Sequence, residues 1–234
     1  MSDEFQVPAL DAIENLLEKV DAVSIAATTS AHFDITKKCF KKNVHVFIEK
    51  PITNAIKEAE ELVELSEKKK LNLQVGHIER FNPALVSMEK YIHDPMFIQT
   101  DRLAQFNPRG TDVAVILDLM IHDIDIILSL VKGDVETIDA SGAPVLTDTI
   151  DIANARLKFS NGCVANVTAS RISIKNQRKI RLFQKDAYIS VDFANRGITV
   201  IRQDDLHPPH GMIPGMDIQQ LSFTDGDALE DELR

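Results

Sequence analysis

The stretch Val44-His45-Val46-Phe47-Ile48-Glu49-Lys50-Pro51 decides how the chain is read. A run of strand-forming residues passes straight into Glu-Lys-Pro, and a helical pattern resumes at once beyond it. Near-continuous apolar character over such a length suits a strand of a parallel sheet covered on both faces. Ligands of such sheets sit just beyond the carboxyl ends of the strands. Glu49 and Lys50 therefore fall where chemistry is expected. Pro51 disfavours helical backbone at Lys50 and holds that residue extended. A lysine in this setting is a shifted acid, a donor at a hydride site or a plain surface charge, and the stretch alone leaves all three open.

Working outward, Asp11-Ala-Ile-Glu14 reads as a helix start, with a carboxylate three residues after an N-cap. Asp21 precedes a short buried strand, Ala22 to Ala26. Thr28, Thr29 and Ser30 offer caps for a helix from about Ala31 to Lys42, with Ala31, Ile35 and Cys39 inward and Asn43 as its C-cap. Beyond Pro51, Thr53 or Asn54 caps a helix to about Lys70, with Ala55, Ala59, Leu62 and Val63 inward. Leu71 to Val75 is another strand. Such alternation predicts an incomplete Rossmann-type parallel α/β sheet over residues 1–77.

The pattern changes over residues 78–234. A helix is expected from Arg80 to about Ile92, a strand from Phe97 to Gln105, and a helix from about Thr111 to Val131. Strands follow at Ile152–Phe159, Val164–Ser170, Lys179–Phe183, Ala187–Phe193 and Ile198–Arg202, with Asn161-Gly162 as a hairpin turn. This part reads as an α+β domain on a mostly antiparallel open sheet. Its exposed face, carrying Ile, Val and Phe at alternate positions, is expected to pair with a copy of itself.

Composition narrows the class. A net charge of −10 over 234 residues argues against a nucleic-acid partner. The most apolar stretch, Val113 to Val131, is broken by Asp118, His122, Asp123 and Asp125, so crossing a bilayer would be costly. Cys39 and Cys163 form no disulfide framework and suit a reducing compartment. With no signal peptide at Met1-Ser-Asp-Glu, the expectation is a cytoplasmic protein. His207-Pro-Pro-His210 is read as a proline-stiffened loop rather than a metal site, and no metal is expected.

Asp118, His122 and Asp125 stand at i, i+4 and i+7, on one face of their helix. Polar groups on so apolar a helix must be paired or face a cavity. Carboxylates beside an imidazole fix its tautomer and suit a general acid/base; a satisfied structural network is the equal alternative. Arg-Phe-Asn-Pro at residues 80–83 reads, taken alone, as a helix start with proline near its first turn. His77 is read as a satisfied, half-buried histidine.

Glu49-Lys50-Pro51 followed by Asp118-Leu-Met-Ile-His122-Asp-Ile-Asp125 resembles the Gfo/Idh/MocA oxidoreductase family, in the same order. Within it, Gly76-His-Ile-Glu-Arg-Phe-Asn-Pro83 looks most like the UDP-N-acetylglucosamine 3-dehydrogenase branch. The resemblance implies an NAD-dependent oxidation of a sugar hydroxyl, at C3 of a UDP-linked N-acetylhexosamine. It implies Lys50, Asp118 and His122 as catalytic, with lysine and histidine flanking the substrate hydroxyl. Thr28, His32, Glu49 and Lys50 would then face the cofactor, and Arg80, Asn82 and Asp125 the sugar nucleotide. A non-catalytic dimerising or sugar-nucleotide-binding remnant is the alternative.

The departures concern the cofactor. Relatives place a Gly-x-Gly-x-x-Gly turn against the dinucleotide pyrophosphate at a helix N-terminus; this chain contains none, and no glycine precedes Gly76. Where relatives carry Thr-Pro-x-x-x-His, it has Ala27-Thr28-Thr29-Ser30-Ala31-His32. The expectation is a fragment that begins within the second β-α unit and ends within the closing helix. The 234-residue chain should accordingly bind NAD weakly or not at all. Each charge-assisted hydrogen bond lost with the turn is worth about 1.5–3 kcal/mol, and two such losses weaken binding by on the order of a hundredfold or more. Calorimetric titration with NAD checks this; low-micromolar binding would contradict it.

Overall fold

A computed structural model describes residues 6–108, 113–203, 215–224 and 226–233. The chain forms two compact units that meet in sequence at Gly76 and His77. The expected helix start at Thr111 and the His207–His210 pair lie outside the described residues.

The first unit contains strands β1 (Ala22–Ile25), β2 (His45–Glu49) and β3 (Leu73–Gly76), all parallel and in that order. Helices α1 (Ile13–Leu17), α2 (Thr29–Lys41) and α3 (Ile56–Lys69) alternate with them. Val46 and Ile48 of β2 are buried, while Phe47 is only half-buried. One face of this sheet is therefore the fully packed one, rather than both faces equally as the apolar run suggested. The core holds Leu17, Ile25, Cys39, Phe40, Val44 and Leu62. α1 is capped by Ala12 without a side-chain bond, so Asp11-Ala-Ile-Glu14 is not the expected capping box. The buried stripe of α2 is His32, Thr36, Cys39 and Phe40, one position on from the stripe expected at 31, 35 and 39. That rotation follows from the His32 ring, drawn inward by two backbone carbonyls. On α3 the inward residues are Leu62 and Ser66, and Val63 is 44% exposed. Asn43 takes a positive φ of 61° just past α2, the left-handed geometry that ends helices.

The second unit is built on an eight-stranded sheet. Its strands are β4 (Phe97–Leu103), β5 (Val135–Ala143), β6 (Ile152–Phe159), β7 (Val164–Ser170), β8 (Gln177–Phe183), β9 (Ala187–Asp192), β10 (Gly197–Gln203) and β11 (Met216–Ser222). They run in the order β11-β10-β9-β8-β4-β7-β6-β5. All pairings are antiparallel except β4 with β7. Gly162 closes the β6–β7 hairpin at φ 86°, donating to the Phe159 carbonyl at 2.9 Å. The helix expected from Arg80 to Ile92 is divided into a 3-10 turn at Ile78–Phe81, helix α4 (Pro83–Met88) and a second 3-10 turn at Glu89–Tyr91. Pro83 cannot continue a preceding helix, which is why the first division falls there. The long apolar helix opens with a π turn, Ile116–Met120, before α5 (Ile121–Leu130). Strand β11 was not anticipated, whereas the short helix α6 (Ala228–Leu233) falls in the acidic tail where a closing helix was expected.

α4 and α5 pack on one face of the sheet, over Ile98, Leu157, Ala165, Val167, Ile180, Leu182, Ile189 and Val200. The expectation of an open face with Ile, Val and Phe at every second position needs correction. Period-two alternation sends most of those residues to the helix side. The open face carries one apolar row, Ile218, Ile201, Tyr188, Phe183, Phe97 and Val164, opposed strand by strand. The adjacent row on that face is polar, running Gln220, Thr199, Ser190, Arg181, Gln99, Asn166 and Arg156.

Asp151, at the start of β6, organises the connection from β5. Its Oδ2 accepts from the amides of Val145, Leu146 and Thr147 at 2.7–2.9 Å, and its Oδ1 from the Thr147 hydroxyl at 2.8 Å. Arg171 Nε lies 3.2 Å from the same carboxylate. Burial works against charge here, but these amide donors prevail and hold the Asp151 carboxyl well below the usual carboxylate range. A depressed folded-state pKa gives stability that is present above the unfolded value of about 4 and lost as pH falls toward the folded one. Asp151→Asn should therefore lower the melting temperature at neutral pH, with the gap to wild type closing as pH drops below about 4. Thermal melts across that range check it; a gap that grows on acidification would contradict it.

Candidate active site

In the first unit the candidate residues follow the carboxyl ends of β1 and β2. Thr28 is exposed and caps α2 by position, its hydroxyl 3.3 Å from that of Ser30. Glu49 ends β2 and is half-buried, as is Lys50 after it. The Lys50–Pro51 peptide bond is cis. Gly76 lies opposite Glu49 in the register, and a Cβ there would meet Phe47 at 3.0 Å and the Glu49 carboxylate at 3.3 Å. A glycine at that point gives the Glu49 side chain its room. His32 is 1% exposed, and its ring is taken up by the backbone. Nδ1 lies 2.9 Å from the Pro51 carbonyl and Nε2 3.1 Å from the Ala27 carbonyl. The ring thus ties the segment after β1 to the segment after β2.

In the second unit α5 and the turn before α4 carry the other candidates. Arg80 donates through both Nε and a terminal nitrogen to the two Asp125 oxygens, each at 2.6 Å. This is the bidentate geometry that fits guanidinium to carboxylate. The hydrogen bond to Asp125 raises the Arg80 pKa further above its already high value. His77 Nδ1 lies 3.6 Å from Asp125. Two residues expected to meet a substrate therefore meet each other, with His77 beside them. Asn82 is the N-cap of α4 and accepts from the Ala84 amide at 3.1 Å, so the helix-start reading describes its side-chain oxygen. His122 lies on α5 and is 9% exposed; Asp118 lies within the π turn ahead of it. A π turn widens the helix, and such turns recur at functional sites. The one-face spacing of Asp118 and His122 assumed an α-helix throughout, and the π turn changes that spacing.

A buried ionic cluster, not foreseen from the sequence, lies next to these residues. Arg102 of β4 donates to Asp123 of α5 from Nε at 3.1 Å and from a terminal nitrogen at 2.8 Å. Its other terminal nitrogen donates to Glu79 in the first 3-10 turn at 2.8 Å. Arg102 and Asp123 are each 2% exposed. Arg178 lies 3.9 Å from Glu79, so two guanidiniums meet two carboxylates. Burial works against the charge on Arg102, but Asp123 and Glu79 outweigh it and raise its pKa. Burial also pushes the Asp123 carboxyl up, with Arg102 pulling against it. Arg102 itself stays charged, because an arginine does not surrender its proton in a protein. Removing one partner of such a pair costs on the order of 3–5 kcal/mol, since the other charge stays buried. One signal was present in the sequence: alternation along Phe97 to Leu103 puts Arg102 on the inward side with Ile98 and Thr100.

Comparison with known proteins places this architecture in a class. Residues 1–77 match the family model described as an oxidoreductase family with an NAD-binding Rossmann fold, and residues 90–190 match the GFO/IDH/MocA C-terminal domain. The chain is 36% identical over 231 residues to the UDP-N-acetylglucosamine 3-dehydrogenase of Acidithiobacillus ferrooxidans, covering 98% of this chain and 73% of that protein. A solved structure of that enzyme superposes with a TM-score of 0.91, covering 99% of this chain and 74% of its own. The scyllo-inositol 2-dehydrogenase (NAD(+)) of Bacillus subtilis is 27% identical over 169 residues, 66% of this chain and 49% of that protein. The chain belongs to the Gfo/Idh/MocA family of NAD-binding oxidoreductases.

Proposed function

We propose that the chain carries the catalytic residues of an NAD-dependent dehydrogenase acting at C3 of a UDP-linked N-acetylhexosamine. The observation that carries this reading is the 36% identity across 98% of the chain to an enzyme of that name. His122 takes the proton of the C3 hydroxyl as general base, and Asp118 orients its imidazole. Lys50 stabilises the oxygen as it becomes a carbonyl. Bound NAD supplies the hydride acceptor. Thr28, Glu49 and Lys50, at the carboxyl ends of parallel strands, suit the nicotinamide–ribose end of the dinucleotide. With no glycine ahead of Gly76, the residues in hand do not fit its pyrophosphate turn. Arg80, held by Asp125, offers its guanidinium to the sugar nucleotide. The reading includes a cytoplasmic protein; no helix among the described residues is long and apolar enough to cross a membrane.

The test is formation of reduced nicotinamide from UDP-N-acetylglucosamine at NAD concentrations high enough to offset weak binding. Turnover is expected to be slow, and His122→Asn should reduce it by about 10²–10⁴-fold, the usual worth of a general base. Turnover unchanged in His122→Asn, or no turnover at saturating NAD, would sink the reading.

The same reading includes a homo-oligomer formed through the open sheet. Support comes from the apolar row Ile218–Ile201–Tyr188–Phe183–Phe97–Val164, in which Phe183 stacks edge-on with Phe97 at 5.9 Å. Sedimentation should give a dimer or larger species in wild type and a smaller one in Phe183→Asp. A clean wild-type monomer at high micromolar concentration would contradict it.

A further inference from the structure

We propose that Arg102 is a positioning residue: its single guanidinium sets the helix bearing His122 against the turn bearing Arg80. The inference deepens the dehydrogenase reading and rests on it for the roles of His122 and Arg80. The geometry is specific. Arg102 grips Asp123, the residue directly after His122, and Glu79, the residue directly before Arg80. Each grip is thus one residue away from a candidate active-site side chain. The anchor is rigid, because β4 is paired on both sides, with β8 and with β7. The guanidinium also lies over the buried Phe193 ring at 5.7 Å. An outer link joins the same two segments, the Arg80–Asp125 pair, but half of the Arg80 side chain is exposed. Exposed pairs contribute little, whereas buried pairs with several hydrogen bonds fix geometry. The inner link therefore sets the spacing of the segments, and the outer pair rides on it. Lysine cannot replace the arginine: a compact ammonium lacks the planar fork that reaches both carboxylates at once. Supporting residues of this kind hold a site within the narrow tolerance that catalysis demands.

Hydrogen–deuterium exchange on the full chain, paired with calorimetric titration of UDP-N-acetylglucosamine, tests the inference. In Arg102→Lys, peptides covering 77–82 and 118–128 should lose protection together, by about tenfold, while peptides in β6 and β9 stay within about twofold of wild type. Affinity for the sugar nucleotide, read well below the melting temperature, should fall by about tenfold in Arg102→Lys. Ile189→Ala, a core change of comparable stability loss, should leave both readouts in place. Arg80→Gln should leave the exchange of 118–128 unchanged. If Arg102→Lys fails to fold, Glu79→Gln is read for the same paired pattern at smaller amplitude. Loss of protection in one segment alone, or uniformly across the second unit, overturns the positioning role. No affinity of the wild-type chain for UDP-N-acetylglucosamine overturns the functional reading instead, and the paired exchange pattern still decides the role of Arg102.

Discussion

Two-residue alternation along β4 and β6 to β10 is the constraint on which the second unit depends. Each of these strands presents small and branched apolar side chains to the helix-covered face, so a one-residue slip in any of them would expose its whole inward set. Alanines at 165 and 169 of β7 let α5 lie close to the sheet, while a cavity of about 420 Å³ lined by Met120, Ile124, Ala153, Ala155 and Leu157 remains on the β6 side. Where this inward face meets a charge, the charge must be answered within the protein, since water is excluded. That requirement produces the two buried arginine clusters.

Both clusters lie at the carboxyl ends of β4 and β7, the one parallel pair described in the eight-stranded sheet. Arg102 faces Ala169 in the register, and Arg171 follows the end of β7. One holds the first turn of α5 through Asp123. The other donates to the carbonyls of Val113 at 2.8 Å and Ile150 at 2.9 Å, while the Val115 amide donates back to Ile150 at 2.9 Å. The chain is thus fixed on entering the π turn and again just after leaving it. Asp118 lies between the two fixings and His122 immediately before the second. An apolar helix slides on an apolar sheet at little cost in burial. Directional bonds to buried guanidiniums give it one address.

The elements were legible because their signals are local. Asn161-Gly162 marks a hairpin through the positive φ that glycine tolerates, and β6, β7, β9 and β10 show alternation over six to eight residues. The Glu49-Lys50-Pro51 and Asp118–His122 motifs were legible through their order. What the sequence concealed was pairing at long range. Arg80 with Asp125 spans 45 residues, and Arg102 with Asp123 spans 21. Nothing in residue type distinguishes Asp123 from Asp125 on one helix; only the sheet beneath decides which carboxylate is buried. His32 shows the same gap from the other side. Its presence was plain, but that its ring would join two backbone carbonyls depended on where Ala27 and Pro51 come to lie.

The Arg80–Asp125 pair shows how an ion pair orders a partly exposed guanidinium. Two of the five guanidinium donors are committed to Asp125, one to each oxygen. That commitment fixes the plane of the fork and removes most of its rotamer freedom before any ligand arrives. A sugar nucleotide meeting the remaining donors would not have to order the side chain first, and that ordering is an appreciable part of what binding costs. The carboxylate also tempers the positive charge, so selection for a partner rests on directional hydrogen bonds more than on net attraction. With half of the Arg80 side chain still exposed, the outer donors remain within reach of solvent. The family resemblance marked Arg80 and Asp125 as two separate ligand contacts. Their geometry makes them one unit, a presented guanidinium and the carboxylate that holds it.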